Sequence, residues 1–482
     1  MTAPEGAPTS HVTGAAATPS SVASRQAPTD LTLSFVDEAT VRAVSAAAGE
    51  PEWLLAERLE GLRAFDALPM ETNPLYTTYV DLRNAKLAAT RPALARAGAA
   101  GEVATDAKLL PDGAAGYAEI SDDRVTALVL SPEARDAGVR LETLAGLGER
   151  DPERLRRLLE GGCTLPEKDK LAQLTRALWT NGLLLHVPDG ARLERPIVLR
   201  WSVGSPGSAV LSRSVISVGE DAEVSVVEEQ VASAGSVGAD TSAPQGFFAG
   251  TTEVRLGPGS TLSFAGLQDF AISQVAFQHR SAVLERGATI RWALAHLGSR
   301  IIRSRIDNAL EGDGSSVEQA EIIFGSSDQL FDLTSYTRHV GRDTTGNLLS
   351  KAALADRSRA YMKGLATIDK PAHGTDSFLG EFAMLLSKQT RSVAIPSLEI
   401  DQPDCRRVAH ASAVGPIDET QLFYLESRGI DPDDARKLIV LGYLEPVVAR
   451  MPLESAQSRL RELLEAKWEA QVGTRSGASA VA

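Results

Sequence analysis

The sequence predicts a mainly β chain, a stack of β-coils with helices at both ends. Three observations carry this. After about residue 175 helical periodicity fades, and short β-rich stretches recur, each broken by Gly or Asp. Four of those stretches read alike, at 218–224, 256–262, 284–290 and 310–317. Beyond residue 416 helices return with clear caps.

The elements follow in chain order. Residues 1–30 are rich in Ala, Thr, Ser, Pro and Gly without an apolar block. They read as a disordered tail and not as a secretory signal. Residues 31–175 read as a mainly helical N-terminal domain. Asp37 caps a helix carrying Val41 and Val44, and Glu50-Pro51-Glu52 opens another. Proline suits a first turn, and acids suit the positive end of the helix dipole. Leu55, Leu59, Leu62 and Phe65 give that second helix its period. Val125, Ala127 and Val129 alternate with their neighbours in a strand, and Asp151-Pro152-Glu153 starts a helix that Gly161-Gly162 ends.

Residues 176–415 read as the β core domain. Each repeated stretch is strand, tight turn, strand, with glycine supplying the positive φ of the turn. The last three recur at roughly 27-residue intervals, a length typical of solenoids. A coil has little core of its own and buries its inward side chains against its neighbours. A parallel β-helix answers this pattern, and so does a β-sandwich with similar turns. Residues 232–246 read as a loop or insertion. Residues 416–471 form a C-terminal helical domain. Asp418 and Gln421 have capping-box spacing, Gly429 ends that helix, and Asp431-Pro432 starts the next with Ala435, Leu438, Ile439 and Leu441 as its apolar set. A last helix runs over about 455–471, and 472–482 read as a flexible tail.

Bulk properties narrow the function. The chain has 482 residues, net charge −14 and 43% hydrophobic residues. An acidic chain argues against a nucleic-acid or anionic-membrane surface, and no apolar run reaches bilayer length. The two cysteines, Cys163 and Cys405, lie far apart. That spacing points to a reducing cytoplasm, and two thiolates cannot hold a cluster that needs four. The chain has no HExxH, GxSxG or GxxxxGK[ST] motif, hence no recognisable protease, hydrolase or nucleotide-binding machinery.

Seven histidines remain. His11 lies in the tail. His186, His279, His296 and His339 lie in β-rich stretches and His373 in a loop; each reads as a satisfied polar residue. Cys405 and His410 are the pair of interest, on what reads as a loop. Cys-x4-His is a weak metal spacing that lacks two further ligands. A β-helix carbohydrate-active enzyme is the alternative from another class, with Asp332 and Asp343 as its acids. An aromatic content of 5% argues against a sugar-stacking cleft.

The C-terminal third carries a longer signal. It runs from His410-Ala411-Ser412 through Ile417-Asp418-Glu419 and Phe423-Tyr424-Leu425-Glu426-Ser427-Arg428-Gly429 to Ala435-Arg436-Lys437-Leu438-Ile439. This run resembles the SufB/SufD family of iron–sulfur cluster assembly proteins. Leu178-Trp179-Thr180, His186-Val187-Pro188-Asp189-Gly190, Tyr361-Met362-Lys363-Gly364 and Gly49-Glu50-Pro51-Glu52-Trp53 are similar to the family as well, so the resemblance covers roughly residues 35–455. It implies a right-handed parallel β-helix and a non-enzymatic scaffold role. SufB has a glutamate where Ala411 stands and a cysteine near Glu381; lacking both, the chain is most like SufD, with a SufB-like subunit as the alternative, although many SufD chains have a cysteine where Val408 stands, three positions from Cys405. The implied partners are a SufB-like subunit, met through the β-helix, and a SufC-like ABC ATPase, met through the C-terminal helices. Phe423, Tyr424, Arg428, Gly429, Ala435, Arg436 and Ile439 are the expected ATPase contacts. Self-pairing is implied when the chain is alone. His410 is the implied cluster-site ligand at the SufB junction and Cys405 a weaker one. No cofactor is expected to stay bound, only transient iron, sulfide or cluster within the complex.

Overall fold

A computed structural model describes residues 31–92, 103–161, 167–233, 236, 244–451 and 453–479. The tail expected at 1–30, most of the loop expected at 232–246, and Cys163 lie outside the described residues. The chain enters through α1 (Glu38–Ala47) and α2 (Glu52–Ala67). There follow β1 (Arg91–Pro92), β2 (Gly116–Ser121), β3 (Arg124–Leu130), α3 (Pro132–Asp136), β4 (Arg140–Thr143), α4 (Leu144–Arg150), α5 (Pro152–Gly161) and α6 (Lys170–Leu178). The first solenoid strands are β5 (Leu183–Val187), β6 (Ile197–Val203), β7 (Ser208–Val218), β8 (Glu223–Ala232), β9 (Gly246–Leu256), β10 (Thr261–Asp269), β11 (Gln274–Leu284) and β12 (Thr289–His296). The later ones are β13 (Ile301–Leu310), β14 (Ser316–Gly325), β15 (Leu330–His339), β16 (Thr345–Leu354), β17 (Arg359–Ile368), β18 (Thr375–Leu385), β19 (Arg391–Ile400) and β20 (Cys405–Pro416). Helices α7 (Glu419–Ser427), α8 (Pro432–Val448) and α9 (Glu454–Ser479) close the described chain.

Odd-numbered strands from β5 to β19 build one sheet and even-numbered strands from β6 to β20 the other, every pair among them parallel. The chain thus alternates between two sheets and climbs one rung per coil, a β-solenoid of about eight turns. The four repeated turns each carry the chain from one sheet to the other, at Val218 to Glu223, Leu256 to Thr261, Leu284 to Thr289 and Leu310 to Ser316. The sandwich alternative is thereby overturned. Glycine matters at Gly259 and Gly287, where φ is +65° and +68°. There each N–H reaches the turn of the next coil, Arg286 O and Asp313 O respectively, so the corners stack.

Between the sheets, inward residues pack rung on rung. Phe264 meets Trp292 at 5.0 Å and Phe248 meets Phe270 at 5.2 Å between ring centroids. Burying each such ring stabilises by about 1.5–3 kcal/mol. Not every inward layer is apolar. Arg280 pairs with Glu228 inside the stack, and Glu321 accepts from Gln319 and Ser335.

Both outer faces are covered. On the odd-strand sheet lie α6 and residues 70–87. Asp169 caps α6 by accepting from Ala172 N–H, and its carboxylate also meets His279 Nδ1 at 3.3 Å and Arg305 at 3.1 Å. On the even-strand sheet Val440, Leu444, Val447, Leu460, Leu464 and Trp468 of α8 and α9 pack over Leu267, Ala293, Ala320, Ile322 and Phe324. Lys351 Nζ donates to Tyr443 O at 2.7 Å and Lys467 Nζ to Gln329 Oε1 at 2.9 Å.

The region expected to be mainly helical contributes β2, β3 and β4 to the two sheets, so strand structure begins well ahead of residue 176. Helix α9 runs on to Ser479, past Gly473 where a flexible tail is expected. A glycine inside a helix costs only about 1 kcal/mol, which the rest of the helix offsets.

Candidate functional site

The site lies at the last coil of the solenoid. Among the described residues, strands β19 and β20 end their sheets, each bonded to one neighbouring strand. No residue of β19 or β20 is fully buried. Inward positions here follow from register. Leu379 packs with Leu348, Ala366 and Leu398 inside the stack, and His410 is in register with Leu379. Val408, His410, Ser412 and Val414 of β20 therefore line the mouth of the solenoid on one side. Ala394 and Leu398 of β19, packed on interior residues, line the other.

Cys405 and His410 sit on strand β20, which corrects the loop expected there. The ladder shifts by one residue between Thr375 and Asp376, so Cys405 pairs with Thr375 and Arg407 with Asp376. This bulge returns Cys405 and His410 to the same face despite their odd spacing. They do not touch. The Cys405 thiol donates to Gln402 O at 3.1 Å, and burial, with Asp404 adding, pushes its pKa up. A thiol so held is a poor source of thiolate. Among the described residues no three His, Cys, Asp or Glu side chains are grouped to hold a metal ion.

Four other histidines are occupied structurally. His279 bridges Asp169 and Asp307, His296 meets Glu321 at 3.2 Å, His339 meets Thr344 at 2.8 Å, and His373 meets Asp404 at 3.2 Å. Burial holds His339 down to about 4. The sugar-enzyme reading finds no support. Asp332 is buried in ion pairs with Arg303 and Lys363, and Asp343 sits in an exposed turn paired with Arg406.

One residue was missed by motif reading. Glu381 on β18 is 1% exposed and lies inside the solenoid, in register with Ser412. Its signal was available: a carboxylate at the inward parity of Leu379 and Ala383, within the apolar run Phe378 to Met384.

The C-terminal helices present a second surface. Asp418 caps α7 by accepting from Thr420 N–H at 2.8 Å, and Asp431 caps α8 through Asp433 N–H at 2.9 Å. Gly429, at φ +87°, turns the chain between them. Helix α7 buries no residue. Phe423 and Tyr424 are 71% and 56% exposed, and Leu438 on α8 adds 56%. The Arg428 guanidinium lies over the Tyr424 ring at 5.2 Å. Arg436 and Ile439 are half-buried, whereas Ala435 is fully buried and offers no surface.

Comparison with known proteins matches these elements. The family described as SUF system FeS cluster assembly, SufBD core domain, matches residues 201–443, from β6 into α8. The iron-sulfur cluster assembly protein SufD of Bacillus subtilis is 25% identical over 442 residues, covering 90% of this chain and 98% of that protein. SufB of the same organism is 26% identical over 308 residues, 64% of each. A SufBD family protein of Staphylococcus saprophyticus is 23% identical over 447 residues, 90% of this chain and 94% of that one. With strands β7 to β20, α7 and most of α8 inside a match that spans just over half of its length, this chain belongs to the SufB/SufD family of iron–sulfur cluster assembly proteins.

Proposed function

We propose that the chain is a SufD-type scaffold subunit, pairing with a SufB-like subunit through the open end of its solenoid and with a SufC-like ABC ATPase through α7 and α8. The observation that carries the reading is the open end itself. Two parallel sheets stop there with free backbone edges, half-exposed apolar residues and a histidine. An unpaired edge of this kind is a template for strand addition. Relatedness favours SufD over SufB, since the match spans 98% of the B. subtilis SufD but 64% of its SufB. Ala411 in place of a carboxylate agrees with that choice.

In this reading the chain performs no catalytic step of its own. ATP hydrolysis belongs to the partner, whose movements reach the solenoid through α8, anchored on the even-strand sheet. His410 offers a borderline-soft imidazole to iron at the junction, and Cys405 is the weaker ligand. Iron, sulfide and cluster are substrates held in transit, in the cytoplasm. A second copy of the chain meets the same edges when the SufB-like subunit is absent. No helix among the described residues is long and apolar enough to cross a membrane.

Co-expression with a SufB-like and a SufC-like protein tests the reading. Phe423→Asp with Tyr424→Asp is expected to release the ATPase while the SufB-like subunit stays bound. Undiminished capture of the ATPase would exclude α7 as the docking surface. His410→Ala is expected to leave the complex intact and lower cluster yield, read by anaerobic absorbance.

A further inference from the structure

The odd-strand sheet carries a buried ionic cluster on its outer face, where the N-terminal helices dock. His279 on β11 is 3% exposed and lies in register with Thr251 on β9 and Arg305 on β13. Each of its ring nitrogens faces a carboxylate. Nδ1 lies 3.3 Å from Asp169 Oδ1, and Nε2 lies 2.5 Å from Asp307 Oδ2. A neutral imidazole has one N–H and one bare lone pair. Whichever nitrogen lost its proton would turn that lone pair on a carboxylate oxygen. The arrangement therefore favours both protons, and so a positive ring.

Charge gives the same answer. Arg305 is the other cation of the cluster. It donates from Nε and Nη2 to Asp307 and from Nη1 to Asp169, with its guanidinium over the Tyr336 ring at 4.7 Å. With His279 protonated, its two carboxylates are matched by two cations. Without that proton, one buried negative charge is left over, which is costly in a low dielectric. The charged groups around the cluster are engaged elsewhere. Glu253 on β9 pairs with Arg213 on β7, Arg303 on β13 pairs with Asp332 and with Glu71 of the covering segment, and Lys170 donates to the carbonyls at the end of α2.

The cluster holds more than itself. Asp169 is the N-cap of α6, accepting from the Ala172 N–H at 2.7 Å. One carboxylate thus starts the helix and ties it to the sheet. Helix α6 in turn carries α2. Lys170 Nζ donates to Phe65 O at 2.7 Å and Leu68 O at 2.8 Å, Arg176 pairs with Glu57, and Arg58 donates to Ala177 O and Trp179 O. Beyond Leu178 the chain passes into β5, the first strand of the stack.

We propose that His279 is a proton-operated clasp that docks the N-terminus of α6, and α2 with it, on the solenoid, closed when the ring is protonated and loosened when it is not. The clasp is independent of the partner and cluster readings. Burial lowers the ring's affinity for its proton, but Asp169 and Asp307 outweigh it and hold the pKa above the ordinary 6.5. The docked ring thus binds its proton more tightly than a ring in water. Docking is at full strength below about pH 6.5 and weakens as pH rises through the higher docked value.

Two measurements on the full-length chain test this. In the first, the chain labelled with carbon-13 at histidine Cε1 is titrated by NMR, the His279 signal being the one absent from His279→Gln. It is expected to be that of a charged ring at pH 7 and to titrate above 6.5. Asp307→Asn is expected to bring its midpoint down, which identifies the signal should His279→Gln fold poorly. In the second, hydrogen exchange over 170–178 is followed from pH 6 to 9 and expressed as protection relative to the free peptide. Wild-type protection is expected to fall by up to about tenfold per pH unit above 6.5 until the ring has titrated. The fall is expected to vanish in His279→Gln and to shrink in Asp307→Asn, while β12 in the other sheet stays level. A neutral His279 at pH 7, the same pH profile of α6 in the wild type and the folded variants, or an equal loss of protection in β12 overturns the inference.

Discussion

The two ends of the solenoid are built differently. At the first end β3 lies antiparallel on β2 and β4 antiparallel on β5, so both sheets finish in strands that break the parallel stack. Ala118, Ile120, Ala134 and Val139 fill the interior beneath that cap. At the last end, among the described residues, no element follows β19 and β20 in either sheet. Large exposed apolar residues stand there and on the helices just beyond: Ile400, Val414, Phe423, Tyr424 and Leu438. One end is finished within the chain, and the other is left in the form that a second chain would complete. An open edge is an aggregation hazard that proteins normally blunt, so its retention beside a histidine argues for use.

The sharpest way to break the comparison is to damage the interior on the closed side. Trp292 is 1% exposed, stacks on Phe264 and donates from Nε1 to Asn308 Oδ1 at 2.9 Å. Trp292→Ala is expected to cost about 3–5 kcal/mol and to leave the Asn308 amide oxygen unpaired. Chemical denaturation measures it. A loss below about 1 kcal/mol would mean that the coils do not stack as one core.

Next in size is the buried acid at the open end. Glu381 has a folded pKa of about 8 against 4.5 for an ordinary glutamate. The folded chain therefore binds this proton more tightly than the unfolded chain. The stability so contributed is fully present below about pH 4.5 and is lost as pH rises through about 8. Glu381→Gln removes that slope. Denaturation midpoints across pH 5–8.5 are expected to fall less steeply in the variant than in the wild type, and parallel profiles would place the carboxyl in water.

How far the sequence alone reached depends on the same contrast. The coils were legible because each turn carries its own glycine or aspartate, as at Gly259, Gly287 and Gly314, and because the strands alternate. The caps at Asp37, Asp418 and Asp431 were legible for the same local reason. What stayed hidden depends on distant residues. β2 and β4 look like parts of a helical domain until their partners β6 and β5 are known. The segment after Cys405 reads as a loop because arginines, a histidine and small residues replace the expected apolar alternation; an edge strand needs no such alternation. The site divides likewise. His410 was carried by a contiguous run, whereas Glu381 became a site residue only once register placed it one rung below.

The smallest expected effect on stability is at the open edge, and it is the most informative about function. Ile400 and Val414 are 48% and 41% exposed, one on each terminal strand. Replacing both with lysine removes little buried area, so stability is expected to change by less than about 0.5 kcal/mol for each. Association is another matter. Each lysine would have to give up its hydration at a paired edge, and charge is a device by which natural sheets refuse edge-to-edge contact. Size-exclusion chromatography of the Ile400→Lys, Val414→Lys chain with a SufB-like subunit is expected to show two separate species, while the wild-type pair elutes as one. An intact complex with the doubly charged edge would mean that the two chains meet elsewhere, and the contrast between a finished end and an unfinished one would then lose its functional meaning.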